Sequence, residues 1–86
     1  MTDEMALNRI AANMRRYREL SGQSMGEIAR RIDTYPATIE RIENQKNMPG
    51  VGLLTRIADA LSVTVNDLLD DPKNPPKPMK ALARAS

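Results

Sequence analysis

The side chains present narrow the chemistry open to this chain. Its 86 residues include no histidine and no cysteine. The commonest general base and metal ligand is therefore missing, and thiolate chemistry and disulfides are missing with it. The few glycines do not gather into a phosphate-binding loop, and the carboxylates stand where helix caps and helix-face charges would put them. Neither an enzyme, a metal site nor a cofactor is expected. What remains is cationic. Arg15, Arg16, Arg18, Arg30 and Arg31 crowd the first third, and Lys73, Lys77, Lys80 and Arg84 crowd the end. Guanidinium and ammonium groups recognise anions by charge and by donated hydrogen bonds. Yet 13 basic residues face 11 acidic ones, a net charge of +2. That balance alone does not announce a polyanion, and a charge run is also what a solvated face looks like.

The elements that would carry these charges are helical. Leu7, Ile10, Met14, Tyr17 and Leu20 recur at three- and four-residue steps and form one apolar stripe. This predicts a first helix over about residues 5–20, with Asp3 and Glu4 at the positive end of its dipole and Ser21-Gly22 as its stop. Ser24-Met25-Gly26-Glu27 has the form of a capping box. It opens a second helix running to about Ile32, with Ile28, Ala29 and Ile32 inward. Asp33-Thr34 is a very short turn. Pro36 suits the first position of a third helix, where no amide is needed; Ile39 and Ile42 face inward, and the helix ends near Asn44-Gln45. Lys46 to Gly50 is a loop. A fourth helix carries Leu53, Leu54, Ile57, Ala58 and Leu61, and a capped start at Thr64 to Asp67 opens a short fifth with Leu68 and Leu69. Beyond Asp70 the run DDPKNPPKP can be neither helix nor central strand. The reading is an all-α, five-helix domain over 1–70 and a flexible basic Pro/Lys-rich tail or linker over 71–86, with at most a nascent helix from Met79 to Ala85.

Two short helices joined by so tight a turn must cross steeply, which is the geometry of a helix-turn-helix. Ala29 is small where the second helix meets the third. Asp33 sits where the turn wants a left-handed residue, a conformation that Asp tolerates better than most. At this point the chain resembles the lambda-repressor-like DNA-binding domains of the Cro/CI and Xre type, over about residues 7–69. The resemblance is carried by Tyr17-Arg18…Gly22, Ser24…Glu27-Ile28-Ala29, Thr38-Ile39-Glu40-Arg41-Ile42-Glu43-Asn44, Pro49, Leu54…Ile57-Ala58-Asp59-Ala60-Leu61 and Val63-Thr64-Val65…Leu68-Leu69. It is the ordered set with its gaps that is specific, not any one piece. The chain departs from the family at Met25, where a glutamine is usual, and at Asp33 and Gln45, where glycines are.

The resemblance implies roles. The third helix would read bases in the major groove while the second lies across the backbone. The residues facing the bases would be Tyr35, Pro36, Ala37, Thr38 and Arg41. Arg41 can pair with guanine O6 and N7, Thr38 can donate or accept, and Ala37 and Pro36 can press on a thymine methyl. Phosphates would be met by Ser24 and Met25 at the start of the second helix, and by Asn44, Lys46 and Asn47 after the third. Arg18 and Glu43 would form a partly buried structural pair. Val51, Val63, Val65, Leu68 and Leu69 would form a homodimer interface, although an apolar set of this kind is equally the core of a short helix.

The function so implied is a sequence-specific transcription regulator, a repressor of bacterial or phage origin, binding a near-palindromic site in double-stranded DNA as a homodimer. An antitoxin that neutralises a protein toxin and regulates its own operon uses the same fold, and the tail could then fold on that partner. No apolar run approaches a membrane span and no signal peptide opens the chain, so a cytoplasmic location is expected. The Pro-rich stretch also suits a linker to a further domain. A mobile basic tail would add DNA affinity without sequence preference.

Overall fold

Helix α1 begins earlier than its apolar stripe. In the computed structural model, which describes residues 1–78, α1 spans Asp3–Ser21. The Thr2 side chain accepts from the Met5 amide at 3.1 Å, and Asp3 and Glu4 fill the first turn, where carboxylates suit the dipole. α2 (Met25–Arg31), α3 (Pro36–Glu43), α4 (Val51–Leu61) and α5 (Val65–Leu69) follow. α2 and α5 each open with a full capping box, Ser24 with Glu27 and Thr64 with Asp67.

The first four helices stop in the same way. After each, one residue turns left-handed: Gly22 at φ 72°, Asp33 at 58°, Gln45 at 60° and Ser62 at 59°. The next amide then reaches back to the final turn, as Gln23 to Arg18 O (3.2 Å), Thr34 to Ala29 O (2.9 Å), Lys46 to Arg41 O (2.8 Å) and Val63 to Ala58 O (3.0 Å). These bonds satisfy carbonyls that a helix end would otherwise leave orphaned. Only Gly22 takes this conformation without a Cβ penalty; the other three sites accept it at a cost of about 1–2 kcal/mol each.

The chain has no Phe or Trp, and the core is aliphatic apart from Tyr17. Ile10, Met14 and Tyr17 of α1 meet Ile28 and Ala29 of α2, Ile39 and Ile42 of α3, and Leu54, Ile57, Ala58 and Leu61 of α4. Leu20, placed by its spacing at the end of the α1 stripe, stands half-exposed instead. Besides Glu43, the buried polar residue among the described ones is Asn13, at 0% exposed. Its amide nitrogen donates to Leu68 O and Asp70 O at 2.9 Å each, and its Oδ1 accepts from Arg16 Nη2 at 2.9 Å.

The chain beyond α5 continues along α1. Arg16 Nη1 donates to Pro72 O (2.9 Å) and Asn74 O (2.7 Å). The Lys77 amide donates to the hydroxyl of buried Tyr17 at 2.9 Å. Prolines cannot donate, so their segment offers mainly carbonyls. Arg16, all donors, is the matching partner. Residues 70–77 therefore form a strap on the α1 flank that carries Asn13 and Arg16. Lys80, Arg84 and the stretch from Met79 to Ala85 lie outside the described residues.

Candidate nucleic-acid interface

The site rests on how α3 is mounted. Ala29 is buried at the α2–α3 crossing, and its carbonyl takes the Thr34 amide. Arg56 of α4 donates to Ile32 O at 3.0 Å, so the turn between the two helices is braced from behind. Pro36 opens α3 with Tyr35 as its cap residue. Ile39, Ile42 and Glu43 are buried. At 3.6 residues per turn, Ala37 and Arg41, four apart, lie opposite that buried face. Pro36, Ala37 and Arg41 are exposed, Thr38 is half-buried, and Tyr35 is 76% exposed. Glu40 is exposed on the same side. It was no part of the sequence-derived base-facing set, although its carboxylate can accept from cytosine N4.

The far end of α3 is tied to α1. Glu43 accepts from Arg18 Nε at 2.8 Å and Nη2 at 3.0 Å, a bidentate pair. The Glu43 side chain is 1% exposed and that of Arg18 15%. The bond to Glu43 raises the Arg18 pKa above the ordinary guanidinium value, outweighing burial. Arg15 also reaches this carboxylate, at 3.4 Å, with its side chain 48% exposed. Its Nη2 donates to Asn44 Oδ1 at 3.4 Å. Arg15 drew no role from sequence, because an arginine in a basic run on a helix reads as solvated.

The other sequence-derived positions divide. Ser24 is exposed, but its backbone amide donates to Glu27 Oε1 (3.0 Å) and its Oγ accepts from the Glu27 amide (3.1 Å). Only its hydroxyl hydrogen is left for an anion. The bond from the Ser24 backbone amide holds the Glu27 carboxyl below the ordinary carboxylate range, helped by the Ser24 side chain and by Arg30 and Arg31. The Met25 side chain packs against the core, so only its amide can turn outward. Asn44 and Lys46 are exposed. Asn47, expected at a phosphate, is turned toward Arg41. Of the residues read as a dimer interface, Val63 and Leu68 are core residues of this chain: Val63 lies in the link before α5 and Leu68 on the inward face of that single turn. Val65 and Leu69 are half-buried and packed against the core. Val51, at the start of α4, is 83% exposed.

Among the described residues no group of three or more His, Cys, Asp or Glu could hold a metal ion, and no helix is long and apolar enough to cross a membrane.

Comparison with known proteins agrees with this geometry. The family model described as a helix-turn-helix domain matches residues 9–70. Among solved structures, the chain is similar to an HTH_3 family transcriptional regulator from Vibrio cholerae, at TM-score 0.75 and 26% identity over 84% of this chain. The chain spans 41% of the length of that protein. No curated protein matches. The match runs from the middle of α1 through α5 and takes in the α2–turn–α3 unit; the chain belongs to the lambda-repressor-like helix-turn-helix domain family.

Proposed function

We propose that this chain is a sequence-specific DNA-binding transcription regulator that reads the major groove with α3. The observation that carries the reading is the outward row of α3. Tyr35, Pro36, Ala37, Thr38 and Arg41 stand over a buried face locked to α1 and α2. A helix fixed on one side and offering Pro36, Ala37 and Thr38 beside Glu40 and Arg41 on the other can approach base edges. Arg41 supplies the bidentate donor for a guanine, a pair worth about 1–3 kcal/mol of discrimination. The Ser24 hydroxyl, the Met25 amide, Asn44 and Lys46 lie at the two ends of the unit and meet phosphates, which fix register without reading sequence.

The regulator acts as a homodimer and a repressor on a near-palindromic operator, with half-sites about 34–36 Å apart. The exposed Val51 supports an isologous contact at the start of α4, to which the part-exposed Val65 and Leu69 of the short α5 add. Selection of bound duplexes from a random DNA pool tests the proposal. Recovery of one palindromic sequence supports it. Recovery of no common sequence, under conditions where the protein is folded, rules it out.

A further inference from the structure

Asn47 lies four residues beyond the end of α3, on a backbone that is itself held. The Lys46 amide donates to Arg41 O at 2.8 Å and the Gln45 amide to Ile42 O at 3.0 Å. With its amide oxygen facing Arg41, Asn47 satisfies both ends of its side chain. In that orientation Oδ1 accepts from Arg41 Nε at 3.0 Å and Nδ2 donates to Lys46 O at 2.8 Å; in the opposite one Oδ1 accepts from Arg41 Nη2 at 3.3 Å. The side chain is thus a bracket with one foot on the backbone and the other on the guanidinium.

A guanidinium offers two forks, a side fork of Nε and Nη and an end fork of the two Nη groups. In either orientation of its amide Asn47 lies against the side fork, at Nε or at Nη2, so the complete fork that remains is the end one. Arg41 is exposed and four residues from Ala37 on the outer face of α3. A long exposed side chain has to be ordered before it can pair with a base, and ordering it in advance lowers that cost.

We propose that Asn47 is a positioning residue for base recognition. It holds the Arg41 guanidinium so that the two Nη groups meet the O6 and N7 acceptors of a guanine. It acts through Arg41 and not as a phosphate ligand. The inference rests on the DNA-binding reading above.

The test uses the full chain and a duplex recovered by the wild-type protein from a random pool. Beside it are set its single-base variants and one unrelated duplex. Arg41→Ala first identifies the base pair that Arg41 reads. Asn47→Ala is expected to lower discrimination at that pair about 3- to 10-fold, the equivalent of one net hydrogen bond. Discrimination at other pairs, affinity for the unrelated duplex and the thermal midpoint stay as in wild type. In the Arg41→Ala background the substitution changes nothing further. A uniform loss on every duplex, the unrelated one included, would assign Asn47 to a phosphate and overturn the proposal. Unchanged discrimination would overturn it as well. Failure of the wild-type protein to recover any sequence is a separate outcome, which removes the DNA-binding reading and this inference together.

Discussion

Replacing Arg18 by alanine removes the principal partner of a carboxylate that water cannot reach. The Glu43 side chain is 1% exposed and takes two short bonds from Arg18. Breaking a buried pair by deleting one partner costs about 3–5 kcal/mol, mostly from the charge left behind. Arg15 offsets part of this. It already stands 3.4 Å from Glu43 with half its side chain in water, where an ion pair is worth about 0–1 kcal/mol. The net expectation for Arg18→Ala is a loss of about 2–4 kcal/mol. A domain of this size has roughly 4–13 kcal/mol in total, so the midpoint should fall by roughly 10–30 °C. Urea unfolding at neutral pH, followed by circular dichroism, measures the loss directly. Arg15→Ala should cost no more than about 1 kcal/mol. Arg18→Met with Glu43→Leu should recover most of the stability, because no buried charge remains. A loss below about 1 kcal/mol for Arg18→Ala would mean that the pair behaves as an exposed one, and the account of how α3 is fixed to α1 would fail.

Ala29→Leu should cost about 1–3 kcal/mol in the same assay through overpacking at the α2–α3 crossing, and an unchanged midpoint would show that the crossing is loose. A chain ending at Pro78 should keep the wild-type midpoint. One ending at Asp70 should lose about 1–3 kcal/mol, because Arg16 and Tyr17 lose their partners at Pro72, Asn74 and Lys77; equal midpoints would show that the strap adds nothing. The Pro78 truncation also isolates Lys80 and Arg84, whose removal should make the salt dependence of DNA binding shallower by about 0.9 per phosphate they neutralise. Glu27 titrates below the ordinary carboxylate range because of its bonds to Ser24. A depressed pKa in the fold means that the box contributes stability above the unfolded carboxylate value and loses it as pH falls through the lower folded value. Ser24→Pro removes the backbone amide that donates to the carboxylate along with the hydroxyl, and should raise the Glu27 titration midpoint, read by NMR of the carboxyl carbon; an unmoved midpoint would exclude the capping box as the cause.

What the sequence made legible is the part governed by short-range chemistry. The two capping boxes, Pro36 at the start of α3 and the left-handed turn at Asp33 depend on neighbours within a few residues, and they can be read directly. The start of α1 was placed two residues late because a polar first turn adds nothing to an apolar stripe, although Thr2 is a recognisable cap. Asn13 and Arg16 were out of reach for a different reason. Their partners lie 55–58 residues away at the end of α5 and in the Pro-rich strap, and nothing in a helix's own spacing tells a buried asparagine from a wet one. The same limit applies to Val63 and Leu68. A helix as short as Val65–Leu69 and the short link that carries Val63 have too few residues for periodicity to separate an inward face from a surface one, so their spacing does not tell the core residues Val63 and Leu68 from the others. Asn47 could be given only the phosphate role that the resemblance implied, because its bond to Arg41 depends on the left-handed turn at Gln45 that brings the chain back.

The claim that α3 reads bases stands or falls on Arg41. The decisive measurement compares sequence preference, position by position, for the wild-type protein and Arg41→Ala against a random duplex pool. The account predicts that the wild type recovers a palindrome, and that the variant loses preference at one base pair in each half-site, by about 1–3 kcal/mol, while the rest of the pattern is kept. A variant that retains the wild-type preference at every position would show that the outward face of α3 does not read DNA through Arg41.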